Sequence, residues 1–244
     1  MQQYLIEIRL QGYSKKYAKE IMGEIGHRFR LRRAAFSSGG VPHITMYGPF
    51  SVSDERRMLS EVVALCRKYD RIPLTFRGFD YFDCAVKTIY LDIRASEELK
   101  QLRYDLAQTL LAITNSSSSR DKKGKDDFCF HSTIVFKHID HLFPQIWSYI
   151  QSKPKPSINQ TLLRITILKR GKILAEYDFL QRKLLNRWQS LNRKEFITTI
   201  NILKNNRENH RINDRWHRKT DHQRPESNMS IGIWAKFLRW FGIK

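Results

Sequence analysis

The sequence predicts a domain of mixed strands and helices followed by a basic extension, and three observations carry that reading. Over residues 1–188, stretches of alternating apolar residues interchange with stretches of helical period. Hydrophobic residues make up 41% of the 244 and aromatics 12%, enough for a sizeable core and too many for a wholly disordered chain. Past Trp188 the composition shifts to a polar, basic run with few aliphatics.

Tyr4, Ile6, Ile8 and Leu10 put apolar side chains on one face of an extended segment, which predicts a half-buried first strand. Ser14 is placed to cap a helix whose Tyr17, Ile21, Met22, Ile25 and Phe29 recur at helical spacing. Pro42 introduces a short strand, His43 to Tyr47, that Gly48-Pro49 is expected to end. Asp54 and Glu55 suit the first turn of a second helix, with Leu59, Val62, Val63, Cys66 and Tyr69 as its buried stripe. Strands follow around 74–79 and 88–93. Ser96-Glu97-Glu98 then opens a helix that turns Leu99, Leu102, Leu106, Leu110 and Ile113 inward.

Residues 115–127 hold four consecutive serines and several charges, which predicts a mobile surface loop. A strand at 129–136, a helix near 139–150 and a hairpin of 161–168 with 172–179 across Lys169-Arg170-Gly171 complete the domain. Its two halves share a rhythm, a short strand containing a histidine and then a helix, which suggests a duplication.

The charge balance is strongly basic. Lys and Arg number 44 against 24 Asp and Glu, for a net charge of +20. Such an excess favours an anionic partner: nucleic acid, a phosphorylated substrate or an acidic membrane surface. Arg28, Arg30, Arg32 and Arg33 cluster just before the first histidine strand, where they suit an RNA backbone or a solvated basic face. Cys66, Cys84 and Cys129 form no short-spaced pair, which reads as reduced thiols in a cytoplasmic setting. Glu7 interrupts the apolar start and no basic leader precedes it, so the N-terminus does not read as a secretory signal.

Two tetrapeptides carry the chemistry: His43-Ile44-Thr45-Met46 and His131-Ser132-Thr133-Ile134. Residues i and i+2 of a strand share a face, so each histidine stands beside its own threonine. Were the two strands adjacent in one sheet, two imidazoles and two hydroxyls would line one cleft. A neutral imidazole can take a proton from an attacking hydroxyl or water, and a protonated one can deliver a proton to the departing oxygen. Threonine hydroxyls can donate to the non-bridging phosphate oxygens. That set needs no metal or other cofactor. Cys129 shares the face of His131 and Thr133; a nucleophile or metal ligand is conceivable there, a small buried thiol the plainer expectation. Tyr47 and Phe136 lie close enough to the motifs to stack a base, with core packing the plainer expectation again.

The paired motifs, with Gly48-Pro49 after the first and Pro73-Leu74-Thr75-Phe76 entering a later strand, resemble those of the two-histidine (2H) phosphoesterases, the 2′-5′ RNA ligase and cyclic phosphodiesterase group. The resemblance covers about residues 1–185. It implies an α+β, bilobal fold with two pseudo-symmetric halves, each with an antiparallel sheet and flanking helices around a central cleft. It implies His43 and His131 as the catalytic pair and Thr45 and Thr133 as the phosphate-binding hydroxyls. The implied substrate is an RNA or nucleotide 2′,3′-cyclic phosphate or a 2′-5′ linkage. Phe130 departs from the pattern, since many relatives carry Pro there.

The domain limits expected on this basis are 1–188 for the catalytic domain, 189–228 for a basic polar linker and 229–244 for an amphipathic aromatic-basic helix. Within the linker, residues 205–228 are expected to be disordered or weakly helical. On a helical wheel Ile231, Trp234, Ala235, Leu238 and Phe241 cover one side of the tail, while Lys236 and Arg239 take the other. Such a helix suits an anionic membrane surface or a protein contact, which makes a peripheral membrane location one expectation. Two rival functions follow: a non-catalytic RNA-binding module of the same fold, and a membrane-tethered esterase for another phosphodiester.

Overall fold

The computed structural model describes residues 3–36, 40–84 and 86–218. Residues 1–191 form one unit, an α+β domain with two antiparallel sheets, and residues 192–244 belong to a second. In chain order the elements of the first are β1 (Tyr4–Arg9), α1 (Gly12–Arg28), β2 (His43–Ser51), α2 (Glu55–Cys66), β3 (Ile72–Phe82), β4 (Thr88–Ala95), α3 (Glu97–Leu111), β5 (Asn115–Ser116), β6 (His131–Val135), α4 (Phe143–Gln151), β7 (Ile158–Leu162), β8 (Arg164–Lys169), β9 (Lys172–Asp178), β10 (Lys183–Asn186) and α5 (Arg187–Leu191).

A six-stranded sheet has the order β10-β9-β8-β1-β2-β5, and a four-stranded sheet the order β6-β4-β3-β7. The sheets are interleaved in sequence, so neither is built from one half of the chain. The hairpin expected at 161–179 is present as β8 and β9 paired across Lys169-Arg170-Gly171, except that the first residues of its expected first arm belong to another strand. Leu162 ends β7 in the smaller sheet, whereas Arg164 begins β8 in the larger one.

The helices follow the periodicity, with local differences at their ends. Asp54 caps α2 by accepting from Arg57 N–H at 2.9 Å, and Ser96 caps α3 by accepting from Leu99 N–H at 3.2 Å. Ser14 is not a cap. The helix already begins at Gly12, and the buried Ser14 hydroxyl bonds to Gln11 C=O at 2.9 Å and to the Gln160 side chain. α3 lies against strands of both sheets, and its Leu99, Leu102, Leu106 and Leu110 are fully buried. Burying four leucines contributes roughly 6–12 kcal/mol before chain entropy is counted, and this row joins the two sheets into one core.

β2 does not stop at Gly48-Pro49; it continues to Ser51, because Phe50 and Ser51 pair with β5. Gly48 takes φ +103°, and a Cβ there would lie 2.9 Å from the Phe50 ring, so the position requires glycine.

The loop expected to be mobile is pinned instead. Asp121, in a 3₁₀ turn at Ser119–Lys122, is buried and accepts from Gly48 N–H at 2.9 Å and from the Ser116 hydroxyl. The fully buried Arg103 of α3 donates to Lys123 C=O at 2.9 Å and to Arg120 C=O, and its guanidinium lies 4.0 Å from the centre of the Phe128 ring. One buried arginine and one buried aspartate thus do what the loop's polar composition does not.

In the second unit, α6 (Arg193–Arg218) runs through the first part of the expected linker, over a stretch free of Pro and Gly. Residues 229–244, and with them the helix and the membrane or protein contact assigned to the tail, lie outside the described residues. Among the described residues no helix is long and apolar enough to cross a membrane.

Candidate functional site

The first half of the site is built on β2. Leu10 N–H donates to Pro42 C=O at 3.0 Å and fixes the strand's entry beside β1. Ile44 and Met46 face the core with no exposure, which leaves His43 and Thr45 on the other face. His43 is 8% exposed, and its Nδ1 lies 2.9 Å from Val41 C=O. A carbonyl only accepts, so Nδ1 carries the hydrogen and Nε2 is left for chemistry. Across the ladder, Glu7 of β1 stands opposite Thr45, and Arg9 opposite His43.

The second half repeats this on β6. Ile93 N–H donates to Phe130 C=O at 3.3 Å, and the buried Phe130 packs edge-on to Phe128, so a packed aromatic forms the strand entry. Ser132 and Ile134 are fully buried, while His131 and Thr133 take the open face. His131 is 9% exposed, and its Nδ1 lies 2.9 Å from Cys129 C=O, the same i−2 anchor as in the first half. Tyr90 of β4 stands opposite Thr133, and Asp92 opposite His131. Phe82 meets the His131 ring edge-on at 4.9 Å, and Tyr90 lies 5.2 Å away.

The two strands do not share a sheet. β2 lies inside the larger sheet, between β1 and β5, and β6 is an edge strand of the smaller one. The histidines approach across the space between sheets: Cα atoms of β2 and β6 come within 8 Å, and His43 is near enough to disfavour a charge on His131. Burial is the main cause that pushes the His131 pKa below its ordinary value, with Arg120 and His43 adding to it and the Cys129 carbonyl opposing.

Thr45 and Thr133 are half-buried, with hydroxyls that make no hydrogen bond among the described residues. A phosphate held between the rings would find two uncommitted donors and two Nε2 atoms. A base on one side and an acid on the other suit in-line displacement at phosphorus.

Other candidates fall away. Tyr47 is fully buried and bonded to Thr114 Oγ1 at 2.7 Å, so it belongs to the core. Cys129 is exposed rather than buried, 3.9 Å from Tyr90 Oη. Cys66 is the buried thiol, its pKa pushed up to about 12 by desolvation. Among the described residues no cluster of three or more His, Cys, Asp or Glu is arranged to hold a metal. Arg28, Arg30, Arg32 and Arg33 lie on the segment that is tied to the end of β6 by Phe136 N–H donating to Ala35 C=O at 2.8 Å, and all four are exposed.

Three features of the site were not read from the motifs: Glu7, the Phe82–Tyr90 wall and Arg120. A carboxylate inside an apolar strand is the available signal for Glu7. The other two depend on strand register and on the pinned loop, which local periodicity does not carry.

The profile of the 2′-5′ RNA ligase superfamily matches residues 24–173. No curated protein matches the sequence. Among solved structures, similarity is found to apo LigT of E. coli, with 14% identity and a TM-score of 0.44 over 72% of this chain and 96% of that one. It is found also to Usb1 of Kluyveromyces marxianus with uridine monophosphate, with 9% identity and a TM-score of 0.43 over 76% and 97%. A protein of Thermus thermophilus gives 12% identity and a TM-score of 0.45 over 72% and 97%.

Proposed function

The chain belongs to the 2′-5′ RNA ligase superfamily, and from that premise we propose that it is a phosphoesterase acting on RNA or nucleotide 2′,3′-cyclic phosphates or on 2′-5′ linkages, by acid–base catalysis between His43 and His131. One observation carries the reading. Both imidazoles are pinned through Nδ1 to the carbonyl two residues before them, which leaves each Nε2 free of the backbone and each ring with a threonine two residues on, on strands whose Cα atoms approach within 8 Å; that supports a shared site. In hydrolysis of a cyclic phosphate, one Nε2 takes a proton from water while the water oxygen bonds to phosphorus. The bond from phosphorus to one ribose oxygen then breaks, and the other Nε2 protonates that oxygen. Thr45 and Thr133 donate to the non-bridging oxygens. The net charge of +20 and the arginines before β2 suit a polyanionic substrate.

The test is incubation with a nucleoside 2′,3′-cyclic phosphate and with a 2′-5′ dinucleotide, in excess chelator, with product mapping. Monoester or cleaved dinucleotide is the expected product, and it should disappear in His43→Ala and in His131→Ala. Full activity in either variant overturns the assignment. Salt-sensitive binding without turnover by the unmodified protein would favour the non-catalytic RNA-binding module instead.

A further inference from the structure

Glu7 is a fully buried carboxylate in the middle of β1. Its Oε1 accepts from Arg9 Nε at 2.7 Å. Its Oε2 is buried and has no hydrogen-bond partner among the described residues. Two hydroxyls stand in register with Glu7, and neither bonds Oε2: Thr166 of β8 is committed to Glu176 Oε1 at 2.8 Å, and Thr45 of β2 makes no hydrogen bond among the described residues. What Oε2 faces is His43: it lies 3.7 Å from Nε2, the nitrogen left free by the Val41 anchor. That distance is too long for a hydrogen bond and within ion-pair range. A buried carboxylate with one oxygen unspent is costly unless a positive charge stands opposite it.

Resting on the reading above, we propose that Glu7 is a positioning residue that fixes the division of labour: its carboxylate is the counter-ion of protonated His43, which makes His43 the general acid and leaves His131 the general base. Glu7 is too buried to touch substrate and acts through His43 alone. The surroundings of the partner fit the other role. His131 is flanked by the Phe82 and Tyr90 rings, and burial, Arg120 and His43 all disfavour its charged form. Asp92, opposite it on β4, is answered by Arg77 at 3.0 Å, and Tyr90 is held neutral by its own desolvation. The charged and titratable groups facing His43 are Glu7 and Arg9 from β1 and His131 from β6. During turnover His131 gains the proton lost by the attacking water and His43 loses one to the departing ribose oxygen. Exchange with solvent restores both.

The experiment is the pH profile of kcat/KM for the full chain with a cyclic nucleotide, in the parent protein, Glu7→Gln, Glu7→Asp and Arg9→Gln. The alkaline limb belongs to the acid and the acidic limb to the base. Removing the carboxylate charge in Glu7→Gln should move the alkaline limb down by about one pH unit. The rate at pH 8 then falls about tenfold more than the rate at pH 6. Arg9→Gln, which removes the competing cation, should move the same limb upward, and Glu7→Asp should keep it near its parent position.

Opposite shifts from two neighbouring substitutions cannot come from misfolding. A uniform loss across pH, or movement of the acidic limb in place of the alkaline one, overturns the proposal. NMR titration of the His43 ring in the parent and in Glu7→Gln reads the same effect without turnover. Identical titrations there sink the role of Glu7 while leaving two-histidine catalysis standing. An inactive parent protein with a titration that does shift would sink the catalytic reading alone.

Discussion

The two half-sites hold their histidines identically and surround them differently. In each, Nδ1 is pinned at 2.9 Å to the carbonyl two residues before it, the ring is almost buried, and a threonine stands two residues on. Beside His43 stand an acid and an arginine, whereas beside His131 stand two aromatic rings. Backbone geometry is what a repeated His-x-Thr strand can duplicate, because a strand fixes where its side chains point. The surroundings come from neighbouring strands, β1 in one sheet and β3 with β4 in the other, and those need not be alike. Repetition therefore positions two equivalent nitrogens, and on the proposed reading the unequal neighbours would give a proton a direction of travel.

The strongest way to break the comparison is to remove one ring at a time. His43→Ala and His131→Ala should each lower kcat/KM by about 10²–10⁴-fold if, as proposed, each ring is one proton-transfer partner. The double variant should cost less than the product of the two, because the pair acts as a unit. Strict multiplication of the single effects, in the same assay, would mean that the halves work independently. Next in size, Thr45→Val and Thr133→Val preserve shape and remove a donor. Each should cost about 3 kcal/mol of transition-state binding, or roughly 10²-fold in kcat. A rise in KM alone would place the hydroxyls on the ground state.

The environments can be tested without touching either motif. Phe82→Ala opens the wall beside His131 and lets water reach the ring. Desolvation is the largest cause of its lowered pKa, so the base should then titrate closer to the ordinary value of 6.5. The sign is definite: a base with a higher pKa is more often protonated, and therefore idle, at pH 6. The acidic limb of kcat/KM should move upward, with loss at pH 6 exceeding loss at pH 8. An alkaline-limb shift would reverse the roles assigned to the two rings.

How much of this was legible in the sequence depends on how local the cause is. The periodic elements and the His-Thr faces were readable, since each is set by residues within one strand or helix: Ser96 caps the helix it was expected to open, Asp54 caps the helix whose first turn it was expected to join, and Ile44 and Met46 turn inward opposite His43 and Thr45. The placement of the two motif strands in different sheets was not. Sheet membership depends on partners such as β5, whose two residues arrive from beyond α3. The loop at 115–127 misled for the same reason. Its serines and charges predict mobility, and only the distant Gly48 amide and the Arg103 guanidinium reveal why it stays fixed. Glu7 was visible as a charge inside an apolar strand, but its meaning required the register that sets it opposite Thr45, with its carboxylate 3.7 Å from the His43 ring. It also lies outside the matched residues 24–173.

The smallest effect sharpens the comparison from the loop. Arg120 is exposed on the pinned turn, makes no ion pair among the described residues, and lies close enough for its charge to be felt at His131. The backbone beneath it is rigid because Arg103 grips the Arg120 carbonyl and Asp121 grips Gly48 of β2. A cation fixed in this way beside the base can serve two ends. It disfavours a proton on His131, and it offers a counter-charge to a substrate phosphate. Arg120→Gln should therefore nudge the acidic limb upward and weaken the salt dependence of kcat/KM for an oligonucleotide, by a slope of about 0.7 for one lost contact to a single strand. The corresponding change at Arg9, in the other half, should leave the salt slope alone, because that guanidinium is already paired with Glu7. Equal salt slopes for the parent and Arg120→Gln would confine Arg120 to its effect on the imidazole.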